Sequence, residues 1–293
     1  MNKVYVISGS TSGIGKALLE KLADSNIIFA GYRNQDCLEI FKDKKNVYPF
    51  YLDYSKPETI QSAADYILEN TNKIDTLVNV AGCVVAGPVE NLDLKEVRRQ
   101  FDVNVFGHIE LAQKLINKLK GGRIINVSSM ASFGIFPFIA PYSASKRCLD
   151  MFFNSLLIEN KKNIKVISIK PGVIATPLWD KSIKENSKYF KRYGEYAAEM
   201  EYVIANAEKN GKQGLPISKV VDVILKADTV KNPKLSYVVG YDALIASIIS
   251  KLPQAWVNKM VKLGIKLKKR PCNPRPVRLN KKRELYVFSK NSQ

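Results

Sequence analysis

The sequence predicts an α/β fold in which a doubly wound, parallel sheet of seven strands is covered by helices on both faces. Two observations lead to this prediction. Short runs rich in β-branched and aromatic residues alternate with longer segments of helical periodicity, which is the pattern of repeated β–α–β units. The strand segments are also apolar almost throughout, as expected for strands that are buried on both faces.

The elements follow from these patterns in chain order. The predicted strands span residues 4–8, 27–31, 47–52, 76–80, 123–128, 165–170 and 236–240. The predicted helices lie near residues 14–24, 57–71, 94–119, 142–160 and 176–209, where apolar side chains recur every three or four positions. The helices at 94–119 and 142–160 are unusually apolar for surface helices. They therefore predict burial against a second subunit, in a homodimer or homotetramer.

Length and composition bound the class of protein. The 293 residues are 46% hydrophobic and 25% charged, which suits one large domain with a sizeable core. The four cysteines form no C-x-x-C pair and there is one histidine, so no metal site and no disulfide framework is predicted. The chain begins on an apolar strand without a signal peptide, and its longest uncharged run is broken by prolines and polar residues. We therefore expect a cytoplasmic protein.

The first predicted strand runs into the glycine-rich segment SGSTSGIG, which a predicted helix follows. Glycines permit positive φ and let the backbone approach a phosphate, while the free N–H groups of a helix start attract an anion. A simple Gly/Ser helix cap is the alternative, but the strand–turn–helix context favours a nucleotide. The candidate cofactor residues of this turn are Gly9, Ser10, Thr11, Ser12, Gly13, Ile14 and Gly15.

The end of the second predicted strand bears on which dinucleotide binds. Proteins that prefer NAD usually have an acidic residue at this point, whereas an arginine accommodates the 2′-phosphate of NADP. Here Tyr32 is followed by Arg33, whose guanidinium can form charge-assisted hydrogen bonds to a phosphate. We therefore predict NADP(H) as the cofactor, with NAD(H) less favoured. A solvated loop arginine is the alternative.

Taken together, these segments resemble the short-chain dehydrogenase/reductase family, whose fold is Rossmann-like. SGSTSGIG resembles the glycine motif of the family, with Ser8 in place of the usual threonine, and LDYS resembles the end of its third strand. NVAG resembles its N-N-A-G turn, with Val80 in place of the second asparagine. NVSSMAS and YSASK resemble the active-site serine and Y-x-x-x-K motifs, and KPGVIATP resembles the turn after the sixth strand. The match covers about residues 1–240, in family order and spacing.

The resemblance implies catalytic roles for four residues. Tyr142 would be the general acid in carbonyl reduction. Lys146, one helical turn away, would lower the phenol pKa from about 10 and bond the nicotinamide ribose. Ser129 would bind the substrate oxygen, since its spacing of thirteen from Tyr142 selects it over Ser128. Asn104 would help to hold a water in a relay to the lysine, with a capped helix kink as the alternative.

The resemblance also implies the remaining contacts of cofactor and substrate, without a metal. The implied cofactor residues beyond the glycine-rich turn are Arg33, Asp53, Asn79, Ala81, Gly82, Tyr142, Lys146, Pro171, Gly172, Ile174 and Thr176. The implied substrate residues are Ser129, Phe136, Tyr142 and Trp179.

Apolar residues near the reacting centre predict a pocket for a lipophilic carbonyl or alcohol, although many would equally suit a core. They are Phe133, Phe136, Phe138, Ile139, Leu178, Trp179, Tyr189, Phe190 and Tyr193. The segment from residue 236 to 263 resembles that of hydroxysteroid-, retinol- and acyl-ketone-reducing members. A steroid-, retinoid- or fatty-ketone-like substrate is therefore implied.

The C-terminal region carries most of the net charge. Residues 251–293 hold 13 Lys and Arg against one acid, which is +12 of the total of +19. We predict a catalytic domain over 1–240, whose segment 176–215 covers the substrate, then an amphipathic helical segment over 241–270 and a basic tail over 271–293. Two interpretations stay open for the basic end, which are contact of 256–293 with an anionic membrane and packing on the protein itself. Nucleic acid is the less favoured partner.

Two functions are compatible with these features. The first is an NADP(H)-dependent oxidoreductase that interconverts a carbonyl and an alcohol on a lipophilic substrate. The second is a non-catalytic NADP(H)-binding redox sensor or scaffold that docks through its basic C-terminus. The complete set of four catalytic residues favours the enzyme, because a pure binding protein does not need them.

Overall fold

The computed structural model describes residues 2–187 and 194–268. Within them, seven strands form one parallel sheet in the order β3-β2-β1-β4-β5-β6-β7. The predicted fold class is thereby confirmed. The strand order reverses between β1 and β4, so a crevice opens at the carboxyl ends of these strands. The strands are β1 Val4–Ile7, β2 Ile27–Tyr32, β3 Val47–Tyr51, β4 Thr76–Asn79, β5 Arg123–Val127, β6 Lys165–Pro171 and β7 Ser236–Val239.

Helices cover the sheet on both faces. They are α1 Gly13–Leu22, α2 Pro57–Asn70, α3 Leu94–Phe101, α4 Gly107–Leu115, α5 Ala140–Glu159, α6 Leu178–Ser187, α7 Ala197–Gln213, α8 Ile217–Thr229, α9 Tyr241–Ile249 and α10 Gln254–Lys268. Apolar side chains of α2, α4 and α5 form the core on one face of the sheet, and those of α1 and α8 form the core on the other. In the described part of the chain, no helix has the length and apolar character needed to cross a bilayer.

The strands supply both cores at once, which explains their continuous apolar sequence. In β1, Val6 joins the core with α2, α4 and α5, while its neighbour Ile7 joins the core with α1 and α8. In β5, Ile124 and Ile125 divide in the same way, and all four side chains are fully buried. Successive strand residues point to opposite faces, so a sheet covered on both sides needs apolar residues at every position.

The helices differ from the sequence prediction in three places. The predicted helix 94–119 is interrupted by a π-helical turn at Asp102–Phe106 between α3 and α4. The predicted helix 176–209 is divided into α6 and α7. The prediction missed α8 altogether, although its Val220, Ile224 and Ala227 recur at helical spacing and are all buried. The signal for α8 was therefore present in the sequence.

The outer face of α5 retains the apolar character seen in the sequence. Met151, Phe152 and Ile158 are exposed there, and Phe106 is exposed at the end of the π-helical turn. Such a surface is compatible with a second subunit, and the homodimer or homotetramer stays a prediction.

His108 of α4 is fully buried beneath the turn that follows β4. Its Nε2–H donates to the carbonyl of Ala81 over 2.9 Å, and its ring meets Tyr54 edge-on with the centroids 4.6 Å apart. Its Nδ1 has no hydrogen-bond partner among the described residues. Burial lowers the pKa of His108 from 6.5 to about 3, and the charge of Lys146 acts in the same direction. The imidazole is therefore neutral in the folded protein.

We expect His108 to make the protein sensitive to acid. Below pH 6.5 the His108 imidazole becomes protonated in the unfolded chain but stays neutral in the folded protein. The free energy of unfolding therefore falls as the pH drops. Between pH 6.5 and 5 this loss should reach about 2 kcal/mol. Denaturant unfolding at both pH values would measure it, with His108→Gln as the comparison because its amide can still donate to Ala81. An equal loss in both proteins would contradict the prediction.

Candidate active site

A cavity of about 1490 Å³ opens at the carboxyl ends of the strands. The turns after β1, β4, β5 and β6 form its floor, and the ends of β2 and β3 extend it to one side. The start of α5, together with α6, α7 and α10, supplies the walls. The glycine-rich turn and the Tyr142–Lys146 pair both line this one continuous cavity.

The glycine-rich turn is compact because glycine stands where a side chain would collide. Gly9 adopts φ +136°, and a Cβ on Gly15 would lie 1.9 Å from the carbonyl oxygen of Gly9. The side chain of Ser12, at the N-cap of α1, makes no capping hydrogen bond, and its hydroxyl instead accepts from Lys181 Nζ over 3.2 Å. A helix start without a side-chain cap, next to a lysine, suits the pyrophosphate of a dinucleotide.

Most of the predicted cofactor residues line the cavity. They are Gly9, Thr11, Ser12, Gly13, Ile14, Arg33, Asp53, Ala81, Gly82, Tyr142, Lys146, Pro171, Gly172, Ile174 and Thr176. The glycines in this set have no side chain and so leave room for a ligand. The set also includes residues at the start of α1, where no side chain caps the backbone N–H groups, and one arginine. The residues present therefore fit a nicotinamide dinucleotide.

Three predicted cofactor residues lie behind the cavity wall. The hydroxyl of Ser10, a predicted cofactor residue, donates to the carbonyl of Gly31 over 2.8 Å. Asn79 is buried between β4 and β5, where its Nδ2 donates to Asn126 Oδ1 over 2.8 Å. Gly15 packs directly against the backbone of Gly9. None of the three lines the cavity, and all three lie in the layer beneath its lining.

The three predicted catalytic residues that face the cavity lie together. Tyr142 and Lys146 are one turn apart on α5, and Ser129 follows β5. The Ser129 oxygen accepts the N–H of Ala131 over 3.1 Å, which leaves its hydroxyl hydrogen free to donate. Ser129 is hydrogen-bonded with the Tyr142 phenol, whereas the Ser128 hydroxyl has no partner among the described residues. Both serines line the cavity, and the choice of Ser129 over Ser128 stays a prediction.

Burial controls the protonation of this group. Desolvation raises the pKa of Tyr142, the hydrogen bond with Ser129 opposes that shift, and Cys83 adds to it. Lys146 is buried, its Nζ donates to the carbonyl of Val127 over 2.9 Å, and it lies 5.9 Å from the centroid of the Tyr142 ring. The pKa of the Tyr142 phenol is thus raised in the folded protein, which corrects the expected net lowering.

The pKa of Lys146 is shifted as well. Desolvation lowers the pKa of Lys146 from 10.5 to about 8, opposed by the charges of Asp150 and Cys83. Asp150 is in turn paired with Lys170 at 2.8 Å, and both side chains are largely buried. Because the Tyr142 phenol holds its proton at neutral pH, this arrangement is prepared to donate a proton, as carbonyl reduction requires.

Asn104 lies in the π-helical turn and does not face the cavity. Its Oδ1 accepts the N–H of Cys83 over 2.9 Å, and its Nδ2 donates to the carbonyl of Cys83 and to the hydroxyl of Ser145, both over 3.0 Å. The side chain therefore ties the turn after β4 to α5. A π-helical turn interrupts the helix at this point, and the water relay to Lys146 stays a prediction.

The predicted substrate residues Phe136 and Trp179 line the cavity beside Ser129 and Tyr142, as do Phe138, Ile139 and Leu178. Phe133 is not part of this lining, because its ring packs beneath the Lys170 ammonium with the Nζ 4.6 Å from the ring centroid. The predicted contributors Tyr189, Phe190 and Tyr193 lie outside the described residues.

The sequence analysis missed cavity residues on α6, α7 and α10. Lys181 of α6 reaches the glycine-rich turn, and the polar residues Tyr202, Asn206 and Asn210 of α7 face the cavity. Their spacing of four residues places them on one helix face, which is the signal that would have found them. The last turns of α10 contribute Val261, Gly264 and Ile265. The lining is consequently more polar than the sequence suggested.

Comparison with known proteins agrees with this site. A family model described as short chain dehydrogenase matches residues 3–187. The chain belongs to the short-chain dehydrogenase/reductase family. It is therefore an oxidoreductase that reduces carbonyl groups with NAD(P)H, and its Tyr-Lys pair and glycine-rich turn line one cavity.

Individual relatives align with most of this chain. It is similar to an NADPH-dependent 3-dehydrocapnine reductase of Ornithobacterium rhinotracheale, with 32% identity over 249 residues that cover 80% of this chain and 87% of the relative. An NADPH-dependent 1-acyldihydroxyacetone phosphate reductase of Saccharomyces cerevisiae is 33% identical over 197 residues, which are 64% of this chain and 66% of the relative.

A solved structure supports the fold. A short chain dehydrogenase of Burkholderia cenocepacia J2315 in complex with NADP superposes with a TM-score of 0.70 at 24% identity. The superposition covers 89% of this chain and 98% of that one. At this identity the likeness speaks for the fold alone.

Proposed function

We propose that the protein is an NADPH-dependent reductase of a lipophilic ketone that carries a fatty chain. The observation on which the proposal chiefly rests is that Ser129, Tyr142 and Lys146 line the same cavity as the glycine-rich turn. A proton donor and a dinucleotide site in one space are what carbonyl reduction requires.

The residues divide the work of this reaction. The glycine-rich turn and Arg33 would hold NADPH, which would supply the hydride for the carbonyl carbon. The hydroxyls of Ser129 and Tyr142 orient the carbonyl oxygen, and Tyr142 donates its proton to that oxygen as the alcohol forms. Lys146 donates a hydrogen bond to the carbonyl of Val127. Because its pKa is about 8, it carries a positive charge at lower pH and stabilises the phenolate that remains. Trp179 and Phe136 hold the apolar part of the substrate.

The preference for NADPH is supported by Arg33. This side chain lies at the end of β2, is exposed into the cavity and has no salt bridge within the described part of the chain. Its neighbour Tyr32 brings no carboxylate that would repel a 2′-phosphate. Both curated relatives described above are named as NADPH-dependent.

Removing Arg33 should weaken NADPH selectively. We expect Arg33→Ala to raise the Kd for NADPH by roughly 10- to 100-fold, because charge-assisted hydrogen bonds contribute about 1.5–3 kcal/mol, and to leave NADH binding unchanged. Fluorescence titration of both cofactors measures this, with Arg98→Ala as the control because Arg98 is an exposed arginine outside the cavity. Wild-type protein that binds NADH as tightly as NADPH would overturn the proposed preference.

A fatty ketone is favoured over a steroid or retinoid for two reasons. One curated relative is named for the reduction of an acyl-bearing ketone. The apolar residues of the cavity also run from Phe136 and Trp179 to Val261 and Ile265 of α10, which suits an extended chain. In a series of ketones, kcat/KM should rise about fourfold for each methylene that becomes buried, up to a plateau. Independence of chain length, together with faster reduction of a steroid ketone, would reject the fatty substrate.

A further inference from the structure

Helix α10 carries two different apolar faces. Val257 is 6% exposed, and Val261 and Ile265, one and two turns further, line the cavity. Trp256 and Met260, at the same spacing along the helix, are 64% and 48% exposed, and Leu263 continues their stripe at 57%. The helix that forms one wall of the cavity therefore presents an apolar stripe to the outside.

Helix α9 continues this exposure. Tyr241, Leu244 and Ile248 are exposed on one side of it, while its acidic residue Asp242 is directed inward and accepts the N–H of Val173 over 2.7 Å. Of 22 exposed large hydrophobic side chains in the described residues, eight fall within 241–263. Single exposed apolar residues are ordinary, but a concentration of this kind marks an interaction surface.

The charge around this surface identifies the partner. Lys251, Lys259 and Lys262 are exposed among the apolar residues, and residues 251–293 together hold 13 basic side chains against one acid. A symmetric contact between two copies would bring these like charges together, which opposes association. Anionic lipid headgroups complement them, and Trp beside Lys is typical of a helix that lies in a membrane interface.

We propose that the protein docks onto anionic membrane surfaces through Trp256, Met260 and Leu263 of α10, with the exposed side of α9 adding area and the lysines meeting the headgroups. The opposite face of α10 forms the cavity wall, so docking places the cavity beside the bilayer. Uptake of a lipophilic ketone directly from the membrane then follows. That last step rests on the proposed function, whereas docking itself does not.

Vesicle flotation of the full chain tests the docking. We expect wild-type protein to float with phosphatidylcholine vesicles that contain phosphatidylglycerol and to stay behind with phosphatidylcholine alone. Trp256→Ser/Met260→Ser/Leu263→Ser should weaken binding by about tenfold or more, since it removes the apolar stripe. Lys259→Gln/Lys262→Gln should weaken it by roughly fivefold for each lysine removed. The control Val89→Ser/Leu94→Ser/Ile158→Ser removes exposed apolar side chains elsewhere and should bind like the wild type.

Further measurements on the same variants separate this proposal from others. The stripe variant should keep its thermal melting temperature, its NADPH affinity and its activity on a water-soluble ketone, because none of its three residues lines the cavity. Wild-type protein that fails to bind the anionic vesicles overturns the docking and leaves the reductase proposal intact. Unchanged binding of the stripe variant also overturns it, as does a halved mass of that variant in light scattering, which would show that a second copy covers the stripe.

Discussion

Tyr142→Phe is expected to lower kcat for ketone reduction by roughly 10²- to 10⁴-fold, the range attributed to general acid catalysis. The variant removes one oxygen, which is the proton donor whose pKa is raised by burial. NADPH affinity should stay within about twofold, because the ring remains and the other cavity residues keep their contacts. Single-turnover reduction at saturating NADPH, together with a cofactor titration, measures the two effects separately.

Two comparisons sharpen the Tyr142 result. Tyr48→Phe removes a phenol oxygen from an exposed residue of β3 and should leave kcat unchanged. Ser129→Ala should reduce kcat less than Tyr142→Phe, since it removes an orienting hydrogen bond and not the proton donor. If Tyr142→Phe retains full cellular function and binds NADPH normally, the protein acts as a cofactor-binding sensor and not as a reductase.

Gly15→Ala should both destabilise the fold and weaken NADPH binding. The new Cβ would lie 1.9 Å from the carbonyl oxygen of Gly9 and 2.9 Å from its carbonyl carbon, so the backbone of the glycine-rich turn must move. Overpacking of this kind costs about 1–3 kcal/mol of stability or more. The displaced turn also misaligns the uncapped start of α1, so we expect the Kd for NADPH to rise by at least about tenfold.

Gly134→Ala is the matched control for this substitution. Gly134 has an extended backbone at φ −164°, and a Cβ there would meet no atom within 4 Å. Denaturant unfolding without cofactor and an NADPH titration should show wild-type values for Gly134→Ala and losses in both for Gly15→Ala. Normal NADPH affinity in Gly15→Ala would mean that the shape of the turn is not what binds the phosphates.

The strands and the central site residues were predictable from local patterns. Strands such as β1 and β5 are buried on both faces, so every position is apolar and the pattern survives any detail of packing. Tyr142 and Lys146 share one helix, so their spacing alone places them together. The glycine-rich turn is equally local, because a strand, a turn and a helix start are consecutive in the chain.

Packing between distant segments decided what the sequence left open. Ser10 and Asn79 carry polar groups that suit a ligand, yet Gly31 and Asn126 engage them from neighbouring strands. The Tyr142 pKa is raised because burial outweighs the hydrogen bond with Ser129, a balance that depends on the whole wall of the cavity.

By itself, the sequence determined the parallel sheet and the glycine-rich turn, because both follow from periodicity or from short-range spacing, whereas the group of Ser129, Tyr142 and Lys146 was implied by the resemblance to the family. Only the tertiary structure decided that Lys181 and α7 face the cavity and that α10 closes it with one face and exposes Trp256 with another. Those contacts join segments that are far apart in the chain, and the free energy that selects them comes from burial against partners that no local pattern identifies.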